Sequence, residues 1–378
     1  MSLQKNIEKK RILLLYASMG MGHKKAADVL EKELSKIDNI EILNINVLSI
    51  ISSFIVKALP DLNLLYRTLY SFSIINTKML RFTLRRKKSI SYFNELFIDS
   101  AKSDVLEFIK QIKPDIIICT HAFPANIISN LIENRSIKNT KFFIVATDYV
   151  SHKTWPLKNV TEYFVPNKEY RDSLILQNVK DPITISGIPV SKKFYELYYH
   201  QKFKDNKEVL FIIGSNRYDL ENLKITKKLD KFIKLFNKYK PDYSLNIVCG
   251  KSESLKKKYE KICQNNKKIK VYGLVENMSE VLEKCELVIT KAGGITSTEI
   301  IAAGKILVFI AGLGIQELEN IEYLENNKVA KYYDNIKDLY NDIPLLLSNE
   351  NLKKVSTSCK IFQKTSTLKI IVNEILKK

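Results

Sequence analysis

Histidine is scarce in this chain, and three of its four histidines stand where a strand-like apolar run gives way to a loop. His23 follows two closely spaced glycines, Gly20 and Gly22, and opens a segment with the apolar spacing of a helix. The positive end of a helix disfavours an imidazolium ion, so a neutral imidazole there could accept a proton from an incoming hydroxyl group. This spacing predicts a general base at His23. The alternative is a histidine that caps the helix or orients a neighbour.

A second site follows another strand-like run, in the sequence ITKAGGITSTEI. Gly293 and Gly294 let the backbone approach a ligand closely, and Thr296 or Ser297 could cap the following helix and contact a phosphate. Glu299 would then offer a carboxylate to both hydroxyls of a ribose, as acidic residues do in dinucleotide-binding folds. The pattern favours a nucleotide site. The alternative is an ordinary strand-to-helix turn whose glutamate only complements the helix dipole.

Asp148 and His152 form a third group, at the end of and just after the run KFFIVATD. They could act as a histidine–carboxylate pair in proton transfer, or they could form a structural hydrogen bond. The sequence leaves open whether His23 or Asp148 is the base. His121 also follows an apolar run, so three histidines share this position in the strand pattern. No DxD or HExxH motif is present, and a metal-dependent reaction therefore has no obvious set of ligands.

The first glycine turn does not fit a dinucleotide-binding fingerprint. Lys25 occupies the position of the third glycine, and the second apolar run, IEILNINVL, ends without an acidic residue for a ribose. A Walker A motif is absent from the sequence as well. These departures argue against NAD or FAD as a cofactor. The remaining role for the turn is to position His23.

The elements that must position these residues alternate between continuous apolar runs and helix-patterned segments. Continuous apolar strands separated by helices indicate parallel sheets covered on both faces. At 43.7 kDa the chain is also long for a single core. We therefore predict two doubly wound α/β domains, 1–190 and 208–378, joined by a lysine-rich linker at 191–207. The last helix is a candidate to pack back on the first domain, and the ligands would bind in a cleft faced by the carboxyl ends of both sheets.

The composition of the chain indicates the cellular compartment of the protein. No uncharged apolar run reaches the roughly 18 residues of a transmembrane helix, and the basic start of the chain lacks the features of a signal peptide. The five cysteines are odd in number and never spaced as CxxC, which is typical of reduced thiols and offers no zinc site. These features predict a cytoplasmic protein.

One segment contributes a notable share of the net charge of +20. Residues 62–94 hold seven basic side chains and no acidic one, interleaved with aromatic residues. Basic, aromatic and aliphatic residues at helical spacing are typical of a segment that lies on an anionic membrane surface. The alternative is a pair of amphipathic helices packed on their own domain. No nucleic-acid-binding motif accompanies the charge, so we predict no nucleic-acid partner.

Five motifs, in the order GxGH, TDxxxHKxW, GIPV, KxGGxTxxE and QExEN, together resemble those of the monogalactosyl- and processive glucosyl-diacylglycerol synthases. These are inverting glycosyltransferases of the GT-B fold, which consists of two Rossmann-like domains. They are related to the lipid-linked muramyl N-acetylglucosaminyltransferases. The resemblance spans about residues 11–330.

This resemblance implies an enzyme that moves glucose or galactose from a UDP-sugar to diacylglycerol or a glycosyl-diacylglycerol. It implies no metal and no cofactor, since the UDP-sugar is a substrate, and a peripheral location on the inner face of the cell membrane through segment 62–94. On the acceptor side it implies catalytic roles for His23 and Asp148 and binding roles for Gly20, Gly22, His152 and Trp155. On the donor side it implies Lys291, Gly293, Gly294, Thr296, Glu299, Gln316, Glu317 and Asn320.

Two other functions remain open at the level of sequence. One is a GT-B enzyme that uses UDP-N-acetylglucosamine, either a muramyl-lipid transferase or a 2-epimerase. The other belongs to a different class: a non-catalytic protein that binds a membrane surface, in which both glycine turns are vestigial.

Overall fold

The computed structural model describes residues 9–18, 20–51, 101–152, 154–200, 207–214, 220–312 and 315–377. The basic-aromatic segment 62–94, for which the sequence predicts membrane binding, lies outside these residues. The chain divides into two compact units. Unit 1 comprises Met1–Pro189 together with Ser366–Lys378, and unit 2 comprises Val190–Thr365.

Unit 1 is built on a six-stranded sheet in the order β2-β1-β3-β4-β5-β6, and every pair of neighbouring strands is parallel. The strands are β1 (Lys10–Tyr16), β2 (Ile40–Asn46), β3 (Ile116–Cys119), β4 (Lys141–Val145), β5 (Glu162–Val165) and β6 (Ile183–Ile185). The helices are α1 (Met21–Leu34), α2 (Val47–Ile50), α3 (101–112), α4 (Ala122–Glu133) and α5 (Lys168–Leu176). Apolar side chains of the central strands are buried on both faces, which explains their continuous apolar runs.

Unit 2 has a second six-stranded parallel sheet, in the order β12-β11-β10-β7-β8-β9. Its strands are β7 (Glu208–Ile212), β8 (Ser244–Val248), β9 (Ile269–Tyr272), β10 (Leu287–Lys291), β11 (Ile306–Ala311) and β12 (Ala330–Tyr332). Its helices are α6 (Lys192–Tyr199), α7 (Leu220–Tyr239), α8 (Glu253–Cys263), α9 (Met278–Lys284), α10 (Gly294–Ala302), α11 (Ile315–Asn326), α12 (Ile336–Leu346) and α13 (Asn349–Phe362). The predicted fold class, two doubly wound α/β domains, is confirmed.

Each sheet has a point where its strand order reverses, between β1 and β3 in unit 1 and between β7 and β10 in unit 2. Loops on the two sides of such a point lead to opposite faces of the sheet and leave a crevice at the carboxyl ends of the strands. His23 follows β1, and the Gly293-Gly294 turn follows β10. Both sequence-predicted sites therefore lie at the switch point of their own sheet.

The observed strands end earlier than their apolar runs. The run 141–148 contains β4, which stops at Val145, yet Ala146 and Thr147 are still buried. The run 183–190 contains only the three residues of β6, because Gly187 adopts a positive φ of 94° that breaks the extended ladder. Hydrophobicity reports burial, and burial continues into the loops at the carboxyl ends of these strands.

The first half of the predicted linker at 191–207 is a helix in the structure. Lys192–Tyr199 forms α6, which is capped by the Ser191 hydroxyl and packs against α9 and α10 of unit 2. Phe194 and Tyr195 are buried although the surrounding residues are rich in lysine. Two buried aromatic residues are therefore enough to anchor a helix whose overall composition resembles a linker.

The C-terminal helix α14 (Thr367–Lys377) belongs to unit 1. Leu368, Ile371, Val372 and Ile375 pack in one core cluster with Ile12 of β1 and other apolar residues of α1, β3 and β4. The Thr367 hydroxyl donates a hydrogen bond of 2.8 Å to the Ser186 carbonyl. Helix α14 thus covers part of one face of the sheet in unit 1. None of the helices in the described ranges is long and apolar enough to cross a bilayer.

Replacing Ile371 with alanine should lower the free energy of unfolding of unit 1 by about 2–5 kcal/mol, because it leaves a cavity in the core. Ile361 on α13 is 82% exposed, whereas Ile371 is fully buried. Ile361→Ala is therefore the matched control, with an expected change within about 0.5 kcal/mol. Denaturant unfolding followed by circular dichroism measures both. Equal midpoints for the two variants would contradict the place of α14 in the core.

Candidate active site

The backbone around His23 determines which of its ring nitrogens carries the proton. His23 is the third residue of α1, and its Nδ1 lies 2.9 Å from the Thr120 carbonyl oxygen at the end of β3. A carbonyl oxygen can only accept a hydrogen bond, so Nδ1 must be the protonated nitrogen in this contact. The Thr147 hydroxyl, just beyond β4, lies 3.0 Å from the same atom. In the neutral ring, Nε2 is then the nitrogen with the lone pair.

Thr120 binds His23 a second time through its side chain. The Thr120 hydroxyl donates a hydrogen bond of 3.0 Å to the His23 carbonyl. Thr120 is fully buried, and Thr147 is only 3% exposed. Three neighbouring parallel strands, β1, β3 and β4, therefore bring two buried residues against the first turn of α1 and fix the orientation of the imidazole.

A second imidazole stands at a right angle to the first. The rings of His23 and His121 have centroids 4.4 Å apart and an interplanar angle of 84°. His121 caps α4, where its Nδ1 accepts a hydrogen bond of 3.0 Å from the Phe123 N–H. In the neutral His121 ring the proton therefore resides on Nε2, the opposite tautomer to that of His23. The sequence did not predict this capping role.

Burial keeps both imidazoles neutral at neutral pH. Burial lowers the pKa of His23, while the Asp148 carboxylate and the hydrogen bond to the Thr120 carbonyl partly offset this shift. The pKa of His121 is lowered well below its usual range by burial and by the proximity of His23. An uncharged His23 with a lone pair on Nε2 can accept a proton without first losing one.

The predicted acceptor-side residues separate into two groups. Asp148 directly follows Thr147 and acts on His23 through its charge. His152 lies in the same loop, and its Nδ1 is 3.1 Å from the Thr154 hydroxyl. Trp155 is only 4% exposed and packs in the core of unit 1, and its acceptor-binding role stays a prediction. Gly20 precedes α1 as its N-cap, and Gly22 lies in its first turn.

In unit 2 the predicted donor turn leads directly into α10. Gly293 is the N-cap of this helix and provides no side-chain hydrogen bond to its first N–H groups. Among the described residues, no atom lies within 4 Å of a Cβ atom built on Gly293. In the same helix the Ser297 hydroxyl is buried, with no hydrogen-bond partner in the described part of the chain. A helix N-terminus without a side-chain cap, the space beside Gly293 and this hydroxyl together fit an anionic ligand such as a phosphate.

Two other predicted donor residues lie on α10. Thr296 is partly exposed in its first turn. Glu299 is the sixth residue of the helix, in its second turn, and only 5% of its surface is accessible. The carboxylate is thus held by the fold rather than extended into solvent, and any ligand must approach it closely.

Helix α11 is tied to the donor turn from its other side. Lys291 at the end of β10 forms an ion pair of 3.1 Å with Glu317 in the first turn of α11. Asn320 is fully buried, and its Nδ2 donates a hydrogen bond of 3.2 Å to the Ala292 carbonyl. Asn320 therefore holds the turn, whereas the resemblance implied that it lies near the donor sugar. Gln316 is partly exposed at the start of the helix.

Thr120, Thr147 and the cap formed by His121 are the parts of this site that sequence reasoning missed. The signal was available, because Thr120 and Thr147 each follow a buried strand at its carboxyl end. Had the order β1-β3-β4 been known, their convergence on His23 would have followed. Strand order is a property of the folded sheet, and the local pattern of residues does not contain it.

Two family models and several curated proteins are similar to this chain. The family model for monogalactosyldiacylglycerol (MGDG) synthase matches residues 23–190, and the glycosyltransferase family 28 C-terminal domain matches residues 199–374. A processive diacylglycerol beta-glucosyltransferase of Staphylococcus epidermidis is 27% identical over 360 residues, which cover 93% of this chain and 88% of that protein.

Solved structures share the fold. Acinetobacter baumannii MurG superposes with a TM-score of 0.63 at 14% identity, covering 98% of this chain and all of that one. The MnaA–UDP co-structure from S. aureus has a TM-score of 0.61 at 15% identity, covering 97% and 96% of the two chains. Two units, each built on a parallel six-stranded sheet with flanking helices, are thus the domains of a GT-B fold, as expected. The chain thus combines, in this order, a region similar to MGDG synthase and a region similar to the C-terminal domain of glycosyltransferase family 28.

Proposed function

We propose that the protein transfers glucose or galactose from a UDP-sugar to diacylglycerol or a glycosyl-diacylglycerol, with inversion at the anomeric carbon and without a metal ion. The activity named for the S. epidermidis relative supports the lipid acceptor. The UDP named for the S. aureus structure, which has the same fold, supports a uridine nucleotide donor. The reaction takes place at an anionic membrane surface in the cytoplasm, with segment 62–94 as the membrane-binding part.

The observation that carries the proposal is the Nδ1 contact of His23 with the Thr120 carbonyl, because it leaves Nε2 as a proton acceptor. In the proposed reaction the Nε2 lone pair takes the proton of the lipid hydroxyl. The hydroxyl oxygen attacks the anomeric carbon, and the bond from that carbon to the diphosphate oxygen breaks with its electron pair on the departing UDP. The anomeric configuration inverts because bond formation and bond breaking occur on opposite faces.

Unit 2 would supply the donor site. The first N–H groups of α10 carry the positive end of a helix dipole, which stabilises the negative charge that develops on the departing UDP. The unpartnered Ser297 hydroxyl would gain a charged hydrogen-bond acceptor, and Glu299 would accept hydrogen bonds from the ribose. The N–H groups and hydroxyl provide this stabilisation without a cation.

A donor screen with lipid chromatography tests the function. Purified protein is incubated with vesicles containing diacylglycerol and with radiolabelled UDP-glucose, UDP-galactose or UDP-N-acetylglucosamine, with and without EDTA. We expect label in a glycosyl-diacylglycerol from one of the two hexose donors, at a rate unchanged by EDTA. Label only from UDP-N-acetylglucosamine, or epimerised sugar nucleotide with no lipid product, would overturn the proposal.

Replacing His23 with alanine should lower kcat at least 100-fold, since general base catalysis typically contributes roughly 10²–10⁴. The affinity for UDP should stay the same, because no donor group changes. His200→Ala is the control, since this histidine is exposed at the end of α6. Steady-state kinetics and UDP calorimetry measure both effects, and full transfer activity in the His23 variant would exclude it as the base.

Replacing Asp148 with asparagine separates the two candidate bases. The carboxylate raises the pKa of His23, so its removal should lower that pKa further. A base acts only when deprotonated, and activity is lost as pH falls through its pKa. The acidic limb of kcat/KM should therefore move to lower pH in Asp148→Asn while substantial activity remains. Loss of activity at every pH would instead point to Asp148 as the base.

Replacing Ser297 with alanine should affect the free and the UDP-bound protein in opposite ways. The free protein should be at least as stable, because the hydroxyl is buried without a partner. UDP affinity should fall roughly tenfold, the typical effect of losing a hydrogen bond to a charged group. Thermal unfolding with and without UDP measures both, with the exposed Ser136→Ala as control. An unchanged UDP-induced rise in Tm would contradict the phosphate contact.

A further inference from the structure

Two threonines lie on either side of the His23 Nδ1 and come from different strands. Thr120 directly follows β3 and offers its carbonyl oxygen at 2.9 Å. Thr147 lies just beyond β4 and offers its hydroxyl oxygen at 3.0 Å. The first acceptor is a backbone atom, which no side-chain substitution removes. The second is a side-chain atom and can be removed without changing the shape of the residue.

The role of the Thr147 hydroxyl follows from the Thr120 carbonyl, which lies beside the same ring nitrogen. If Nδ1 carried a lone pair, that lone pair would face the lone pairs of the Thr120 carbonyl at hydrogen-bond distance, which is repulsive. With the proton on Nδ1, both oxygens act as acceptors in a three-centre hydrogen bond. A hydrogen bond from a charged donor is roughly twice as strong as a neutral one. Both acceptors therefore bind the imidazolium form more strongly than the neutral ring.

The ionisable groups that act on His23 among the described residues are Asp148 and His121. The Asp148 carboxylate favours a positive charge on His23, whereas His121 is itself held neutral by burial and by its contact with His23. Among the described residues, the side-chain hydrogen-bond partner of Nδ1 is the Thr147 hydroxyl. Charge and hydrogen bonding thus come from different residues, so they can be removed separately.

We propose that Thr147 is a positioning residue, whose hydroxyl holds the Nδ1–H tautomer of His23 and stabilises the imidazolium formed when Nε2 takes the proton of the acceptor. The inference rests on the proposed role of His23 as the base. It assigns a function to the threonine of the TDxxxHKxW motif that is separate from the charge of the neighbouring aspartate. Thr147 does not touch the substrate and acts through His23.

Valine and serine at position 147 separate the hydroxyl from the shape of the side chain. Thr147→Val keeps the shape of this buried residue and loses the hydroxyl, whereas Thr147→Ser keeps the hydroxyl. We expect kcat for glycosyl transfer to fall about tenfold in Thr147→Val, with KM for the UDP-sugar unchanged. Its acidic limb of kcat/KM should also move to lower pH, because the imidazolium has lost an acceptor. Thr147→Ser should restore both the rate and the limb.

The His23→Ala variant, measured in the same assay with thermal unfolding of all four proteins, separates the two levels of the proposal. An active His23→Ala variant would overturn the role of His23 and with it the inference. An inactive His23→Ala variant beside a Thr147→Val variant with normal rate and pH profile would overturn the inference alone. Equal losses in the valine and serine variants, or a lower Tm without a shift of the pH limb, would reduce Thr147 to a packing residue and also overturn it.

Discussion

The chemistry assigned to unit 1 depends on a simple constraint: a carbonyl oxygen accepts hydrogen bonds and never donates them. The Thr120 carbonyl faces the Nδ1 of His23 and therefore fixes the proton on that nitrogen. Parallel pairing of β1 with β3 holds the two groups at this distance, because His23 and Thr120 follow the carboxyl ends of neighbouring strands. A sheet whose strand order reverses at this point thus positions a histidine beside a backbone carbonyl that defines its tautomer.

In unit 2 the corresponding feature is the N-terminus of α10, which has no side-chain cap. Six described helices, α2, α5, α6, α8, α12 and α13, have an Asn or Ser cap that accepts from a backbone N–H. Helix α10, whose N-cap is Gly293, has no such bond. Asn320 and the Lys291–Glu317 ion pair hold the turn in place from α11. The turn before α10 is thus held by side chains of a neighbouring helix, and its own N-cap residue contributes no side-chain hydrogen bond.

The sequence predicted the fold class and the places of His23 and of the Gly293-Gly294 turn, because apolar periodicity and glycine placement are local signals. It did not reveal Thr147 as a partner of His23, because the two residues are 124 positions apart and only the strand order brings them together. It gave Trp155 and Asn320 ligand-binding roles, which stay predictions, and it did not reveal that both side chains are buried. The sequence also predicted a linker where α6 lies. The prediction relied on the lysine content and did not take account of Phe194 and Tyr195, which are buried. Motifs indicate which residues matter, whereas their burial and their partners become visible only in the folded structure.

Direct observation of the His23 tautomer tests the account at its foundation. The chain has four histidines, so ¹⁵N-histidine NMR spectra are simple, and the signal missing in a His23→Ala variant assigns His23. Long-range ¹⁵N–¹H correlations at neutral pH distinguish a protonated ring nitrogen from one with a lone pair. The account predicts a neutral His23 ring with the proton on Nδ1 and the lone pair on Nε2. A proton on Nε2, or an imidazolium at neutral pH, would contradict it.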